Sequence, residues 1–216
     1  MRLLLSLFIL LLTTIEPVFA QNYTWQRIAI GDSTTVDFPG KPKKIIYKGQ
    51  TAYGLYEEEA LYSVSIQENA RDAGLTVEEK RQFYDGAMRG AAETAKASQV
   101  ISKVKFEVNG FEGLETTFLS SIAKVKNPVV IRMVLVNGTL YGQTFSAPAS
   151  SAYAVVRQRF FASFAPRLRP AVVTPAETHT AAYKIGQLMG SLFVYGGIIA
   201  GVIFLLKRSA AKKNSA

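Results

Sequence analysis

The feature that most constrains this chain is an uncharged stretch of 22 residues, 185–206, close to its C-terminus. A helix of that length spans roughly 33 Å, against about 30 Å of hydrocarbon in a bilayer, so the stretch reads as a transmembrane helix. Lys207, Arg208, Lys212 and Lys213 follow it directly, whereas Lys184 and Glu177 are the nearest charges before it. That excess of basic residues predicts a cytoplasmic C-terminus, with residues 207–216 as a basic tail.

A second apolar block, residues 3–12, follows Arg2 and leads to Val18-Phe19-Ala20, whose side chains suit a signal peptidase. Residues 1–20 are therefore read as a cleaved secretory signal. An uncleaved signal anchor is the alternative, because Glu16 and Pro17 only interrupt the apolar run. Both readings put the chain from Gln21 onward outside the cytoplasm. The expected layout is single-pass and type I in the cell (inner) membrane, with membrane lipid as a partner of the C-terminal helix.

Within that helix Gly186, Gly190, Gly197 and Gly201 recur at intervals of four, seven and four residues. At about 100° per residue they fill a stripe roughly 60° wide, a candidate surface for self-association or for a partner helix. The general abundance of glycine in membrane helices accounts for the stripe nearly as well. The span has no charged group, so an ion or proton pathway along it has no support.

Between the two apolar ends, residues 21–164 have the length and composition of one folded domain, and residues 165–184, with Pro166, Pro170 and Pro175, read as a linker. Residues 21–169 carry 19 Lys+Arg against 14 Asp+Glu, a mild surplus within a chain of formal charge +9. The chain has no cysteine. Disulfides, thiolate nucleophiles and zinc–thiolate sites are therefore excluded, and packing alone must stabilise the domain.

Strand patterns come first, over residues 23–30, 34–38, 53–57 and 61–67. In the last of these Tyr62, Val64 and Ile66 alternate with Ser63, Ser65 and Gln67, and Glu57-Glu58-Glu59 marks a turn before it. Residues 77–95 have helical spacing, with Thr76 and Glu79 placed as a capping box and Phe83, Ala87, Ala91 and Ala95 on one stripe. Gly86 and Gly90 each cost that helix about 1 kcal/mol relative to alanine, which close approach to the sheet would offset.

Asn109-Gly110 and Asn137-Gly138 announce two tight hairpins. A plain two-residue turn in the first would set Lys105 opposite Leu114 and mix the faces, so a bulge at Gly113 is expected. The second pairs Leu135 with Leu140 and Val134 with Tyr141, in a strand apolar on both faces apart from Arg132. Residues 149–164 close the domain as a helix carrying Arg157 and Arg159. The expected fold class is α+β: one antiparallel sheet with helices on its faces, an α/β/α sandwich, plus the transmembrane helix.

The run Asp37-Phe38-Pro39-Gly40-Lys41-Pro42, the Asn137-Gly138 hairpin running into Tyr141, and Arg159-Phe160-Phe161-Ala162-Ser163-Phe164 resemble the PsbP/Mog1-like sandwich domains. The resemblance covers residues 21–169. It implies a fold that serves as a binding or assembly module, on a photosystem or a small GTPase in its namesakes. No functional residue carries over by motif, and the single-pass layout departs from both.

Chemistry is sparse. His179, the sole histidine, falls in the linker without a partner for nucleophilic catalysis. Glu57, Glu58 and Glu59 read as a solvated turn, and Asp32, Asp37, Asp72 and Asp85 are scattered. No cofactor fingerprint or phosphate loop is present. Lys41, Lys43, Lys44 and Lys48 are candidate contacts to an anionic surface, although protection of a sheet edge explains them equally. Asn22 and Asn137 match the glycosylation pattern, the second already explained by its turn. Nucleic acid is disfavoured by export, mild charge and aromatics at core spacings.

The expected function is thus a non-enzymatic, membrane-anchored extracytoplasmic binding or assembly module. The alternative is a carboxylate- or metal-dependent envelope hydrolase with a pocket between sheet and helix, for which Glu57, Glu68, Glu112 and Glu115 would have to converge.

Overall fold

The structure is a computed structural model that describes residues 23–31, 34–47, 50–68, 70, 75–120, 127–167, 182, 184 and 186–188. The signal segment, most of residues 168–206, the basic tail, Asn22, Asp32, Asp72 and His179 lie outside the described residues. No helix among the described residues is long and apolar enough to cross a membrane.

Five strands come first: β1 Gln26–Ile30, β2 Thr34–Phe38, β3 Lys43–Tyr47, β4 Gln50–Glu57 and β5 Ala60–Gln67. Helix α1 Val77–Thr94 follows, then β6 Ala97–Val108, β7 Phe111–Ser120, β8 Asn127–Val136 and β9 Thr139–Ser146. Helix α2 Ser151–Ala162 and the short β10 Ala165–Pro166 complete the domain. The pairing is antiparallel throughout, in a seven-stranded sheet ordered β3-β4-β5-β9-β8-β7-β6 and a three-stranded sheet ordered β1-β2-β10.

The expectation of one sheet is therefore corrected. β1 and β2 leave the main sheet and lie with α2 over one of its faces, because their apolar positions Ile30, Val36 and Phe38 are needed against Tyr62, Phe145 and Phe160. β10 extends the domain two residues beyond the expected end at Phe164, pairing Ala165 with Thr35 and Pro166 with Thr34. β3 was not legible as a strand, since Lys43-Lys44-Ile45-Ile46-Tyr47 has no two-residue alternation of polarity.

Alternation along β5 gives each face of the main sheet its own core. Tyr62, Val64 and Ile66 join the aromatic cluster under α2 and the small sheet. The opposite face is covered by α1, whose Phe83, Tyr84, Ala87, Met88, Ala91 and Ala95 pack with Leu114, Phe118, Ile131, Met133, Leu135 and Leu140. Tyr84 fastens the helix to the sheet: its hydroxyl donates to the Glu112 carbonyl at 2.8 Å and accepts from the Leu135 amide at 2.8 Å. The capping box forms as its spacing requires, with the Glu79 amide donating to Thr76 Oγ1 at 3.2 Å and the Thr76 amide donating to Glu79 Oε2 at 2.8 Å.

Both Asn-Gly hairpins close through two left-handed residues, Asn109 with Gly110 and Asn137 with Gly138, as the primed turn demands. The second has the expected register, Leu135 opposite Leu140 and Val134 opposite Tyr141. In the first, the bulge expected at Gly113 is absent: Phe106 pairs with Gly113, Lys105 with Leu114 and Val104 with Glu115. β6 is a sheet edge, so Lys105 projects past the end of the core and mixed faces carry no burial penalty. Gly113 instead accepts the Phe106 ring, and a Cβ added there would lie 2.5 Å from its Cζ and 2.6 Å from the Met133 carbonyl. The irregularities of β6 sit at its other end, between Ala97 and Gln99 and between Val100 and Ser102.

Candidate functional site

The turn between β4 and β5 is built from two glutamates in left-handed conformation, Glu58 at φ 49° and Glu59 at φ 83°. That region disfavours side chains larger than glycine, so tertiary contacts must hold the turn. Two tyrosines do so from distant parts of the chain. Tyr23 donates its hydroxyl to Glu58 Oε2 at 3.0 Å, and Tyr153 on α2 donates to the Glu58 carbonyl at 2.8 Å. Tyr62, fully buried beneath them, packs edge-on against Phe145 and Phe160.

Burial raises the pKa of all three phenols above the ordinary value. The Glu58 side chain reinforces this at Tyr23, and neighbouring Tyr23 does so at Tyr62. These groups remain protonated donors at neutral pH and supply no general base. Alongside them the Arg159 guanidinium lies 4.4 Å from the Trp25 ring centre, and Trp25 meets Tyr23 edge-on. The result is an aromatic and acidic end of the sandwich joining the start of the domain, the β4–β5 turn and α2.

Arg132, the one charge in the otherwise apolar β8, is accounted for locally. Its Nε lies 2.5 Å from Glu115 Oε2 on the neighbouring strand, and its guanidinium is sandwiched 5.0 Å from Phe106 and 4.6 Å from Phe161. A paired and stacked guanidinium satisfies itself under α2, which makes this residue a support of the fold.

The remaining acidic candidates do not converge. Glu57 and Glu68 flank β5 at opposite ends, Glu112 sits beside the first Asn-Gly turn, and Glu115 is committed to Arg132. Among the described residues no three of His, Cys, Asp and Glu form a group able to hold a metal ion.

Of the lysine candidates, Lys41 is exposed before β3, and Lys43 and Lys44 lie on that edge strand; Lys48 is outside the described residues. Successive strand residues point to opposite faces, so Lys43 and Lys44 do not form one patch. The ammonium of Lys44 sits 5.9 Å from the Tyr53 ring. The opposite edge was missed by sequence reasoning. On β6 Val100, Ile101 and Val104 are 56%, 53% and 54% exposed, beside Lys103, which pairs with Asp85 of α1. The signal was present as apolar residues interleaved with lysines, but whether such a strand is an edge depends on the topology.

Of the glycine stripe only Gly186 is described. It packs against the backbone of Phe83 on α1, where a Cβ would run into the Phe83 carbonyl. Gly190, Gly197 and Gly201 lie outside the described residues.

No protein-family model matches the chain, and no curated protein matches it. Among solved structures, the solution structure of cyanobacterial PsbP from Synechocystis sp. PCC 6803 is similar, with TM-score 0.50 and 16% sequence identity, covering 71% of this chain and 99% of that one. A crystal structure of a Pseudomonas aeruginosa protein of unknown function, described as a putative regulator, aligns over 71% of this chain and 99% of that one at 9% identity. Its TM-score of 0.38 carries no argument. The first likeness shows a PsbP-like fold.

Proposed function

We propose that this chain is a non-enzymatic binding or assembly module, exported and held by its C-terminal helix at the outer side of the cell membrane, where it engages a protein partner. The single observation that supports the interaction is the β6 edge: three exposed apolar side chains on a strand that has no further strand beside it among the described residues. A soluble monomer ordinarily blunts such an edge with charge alone, and here lysines interleave with Val100, Ile101 and Val104. An added strand would find backbone partners there, apolar contacts for affinity and lysines to select an acidic edge. The uncharged 22-residue segment and the basic residues after it supply the anchor.

The test is crosslinking in the intact native membrane followed by purification, with wild type beside an Ile101→Asp/Val104→Asp variant. A discrete partner recovered with wild type and lost with the variant, at unchanged thermal stability, is the expected result. Recovery of no partner above background would contradict the reading.

A further inference from the structure

Helix α1 is covered on two sides. Its sheet-facing stripe is Tyr84, Ala87, Met88, Ala91 and Ala95. At about 100° per residue, Gly86 lies roughly 150° around the helix from the middle of that stripe and Gly90 roughly 115°. Both are nevertheless buried. Their burial on the flank and outer side of α1 therefore calls for cover beyond the sheet itself.

The described residues show what lies on that outer side. Ala182 is 2% exposed within the α1 cluster, Gly186 abuts the Phe83 backbone, and Gln187 Nε2 lies 3.2 Å from Glu93 Oε2. By the same angular count Glu93 lies almost opposite the sheet, about 175° from the stripe. Gly186 is the small residue that lets its segment approach the α1 backbone closely at Phe83.

We infer that the segment carrying Ala182, Gly186 and Gln187 is seated by those residues against the outer side of α1, so that the domain and its anchor meet at a fixed joint. This rests on the anchored reading above and deepens it. A free linker of 20 residues would let the domain wander about 25 Å from the membrane. The joint holds it close and in one orientation. It also engages Gly186 within the chain, which removes the outermost position of the stripe from packing with a second membrane helix.

The experiment uses the full chain in its native membrane. Because the chain has no cysteine, a Glu93→Cys/Gln187→Cys variant carries the sole thiol pair. Two long side chains meeting end to end hold their backbones too far apart for a direct disulfide, so a bifunctional maleimide of about 10 Å reach is used. The expected product is monomeric and internally crosslinked, and adding Gly186→Val, whose Cβ would run into the Phe83 carbonyl, should lower its yield about tenfold by blocking close approach. The thermal midpoint of that variant, measured in parallel, shows that the domain remains folded.

Alkylation of both thiols without internal crosslinking, crosslinked dimers as the main product, or full crosslinking despite a folded Gly186→Val variant would each overturn the joint. Internal crosslinking in a chain that alkaline carbonate strips from the membrane would support the joint and contradict the anchor.

Discussion

The two faces of the main sheet are closed in different ways. One is covered by β1, β2, β10 and α2, and its core is aromatic: Phe38, Tyr62, Tyr141, Phe145, Phe160, Phe161 and Phe164 interlock with ring centres of neighbouring pairs 5.2–5.5 Å apart. The other is covered by α1, and small or flexible residues prevail there, with Ala87, Ala91, Ala95 and Met88 against Leu114, Ile131 and Met133. Large rings joined from distant segments make the first face dependent on long-range contacts. The second is assembled around one capped helix, which Tyr84 ties to the sheet at the Glu112 carbonyl and the Leu135 amide.

Truncation experiments break this comparison most sharply. Phe160 is fully buried and touches Phe38, Tyr62 and Phe161, so Phe160→Ala should cost about 3–5 kcal/mol in denaturant unfolding. Met88→Ala on the α1 face should cost less, nearer about 2 kcal/mol, because the small and flexible side chains around it can partly close the cavity. Equal losses would show that the two faces are equally rigid.

Next in size is Gly113→Ala, which sets a methyl group against the Phe106 ring and the Met133 carbonyl. Overpacking of this kind costs about 1–3 kcal/mol. Unfolding measured on Gly113→Ala and on Gly113→Ala/Phe106→Leu should show recovery in the double variant, since the ring is the neighbour that can be removed.

Thr76→Ala removes the capping oxygen of α1 and should lower stability by about 1 kcal/mol, with the loss confined to hydrogen exchange in α1.

The smallest effect is alkaline. Tyr23, Tyr62 and Tyr153 have raised pKa values in the folded state. Their contribution to stability is therefore present in full below about pH 10 and is lost as pH rises through the folded-state values. A spectrophotometric tyrosinate titration should show Tyr23, Tyr62 and Tyr153 ionising later in the folded chain than in denaturant. Simultaneous ionisation of all ten tyrosines would contradict the buried cluster.

The sequence was most legible where local chemistry decides structure. Thr76 with Glu79 marked the start of α1, and Asn137-Gly138 fixed a register that the apolar residues of β8 and β9 then enforced. It misled at Gly113, where face alternation was applied to a strand that topology later made an edge. It was silent about the partition into two sheets, which depends on contacts between Phe38 and Phe160, 122 positions apart. The same distance effect hid the Tyr23–Glu58–Tyr153 cluster, whose members have no mutual spacing to read. The lysine group looked coherent in sequence, but strand geometry divides Lys43 from Lys44.

The central proposal is that this domain is held outside the cell membrane. The most direct measurement is protease added outside intact spheroplasts carrying the full chain with a tag after Ala216. The account predicts digestion of the sandwich and survival of a small tagged fragment. An intact domain under conditions that digest a known exported control, or a reporter fused just after Arg169 that is active only in the cytosol, would contradict it.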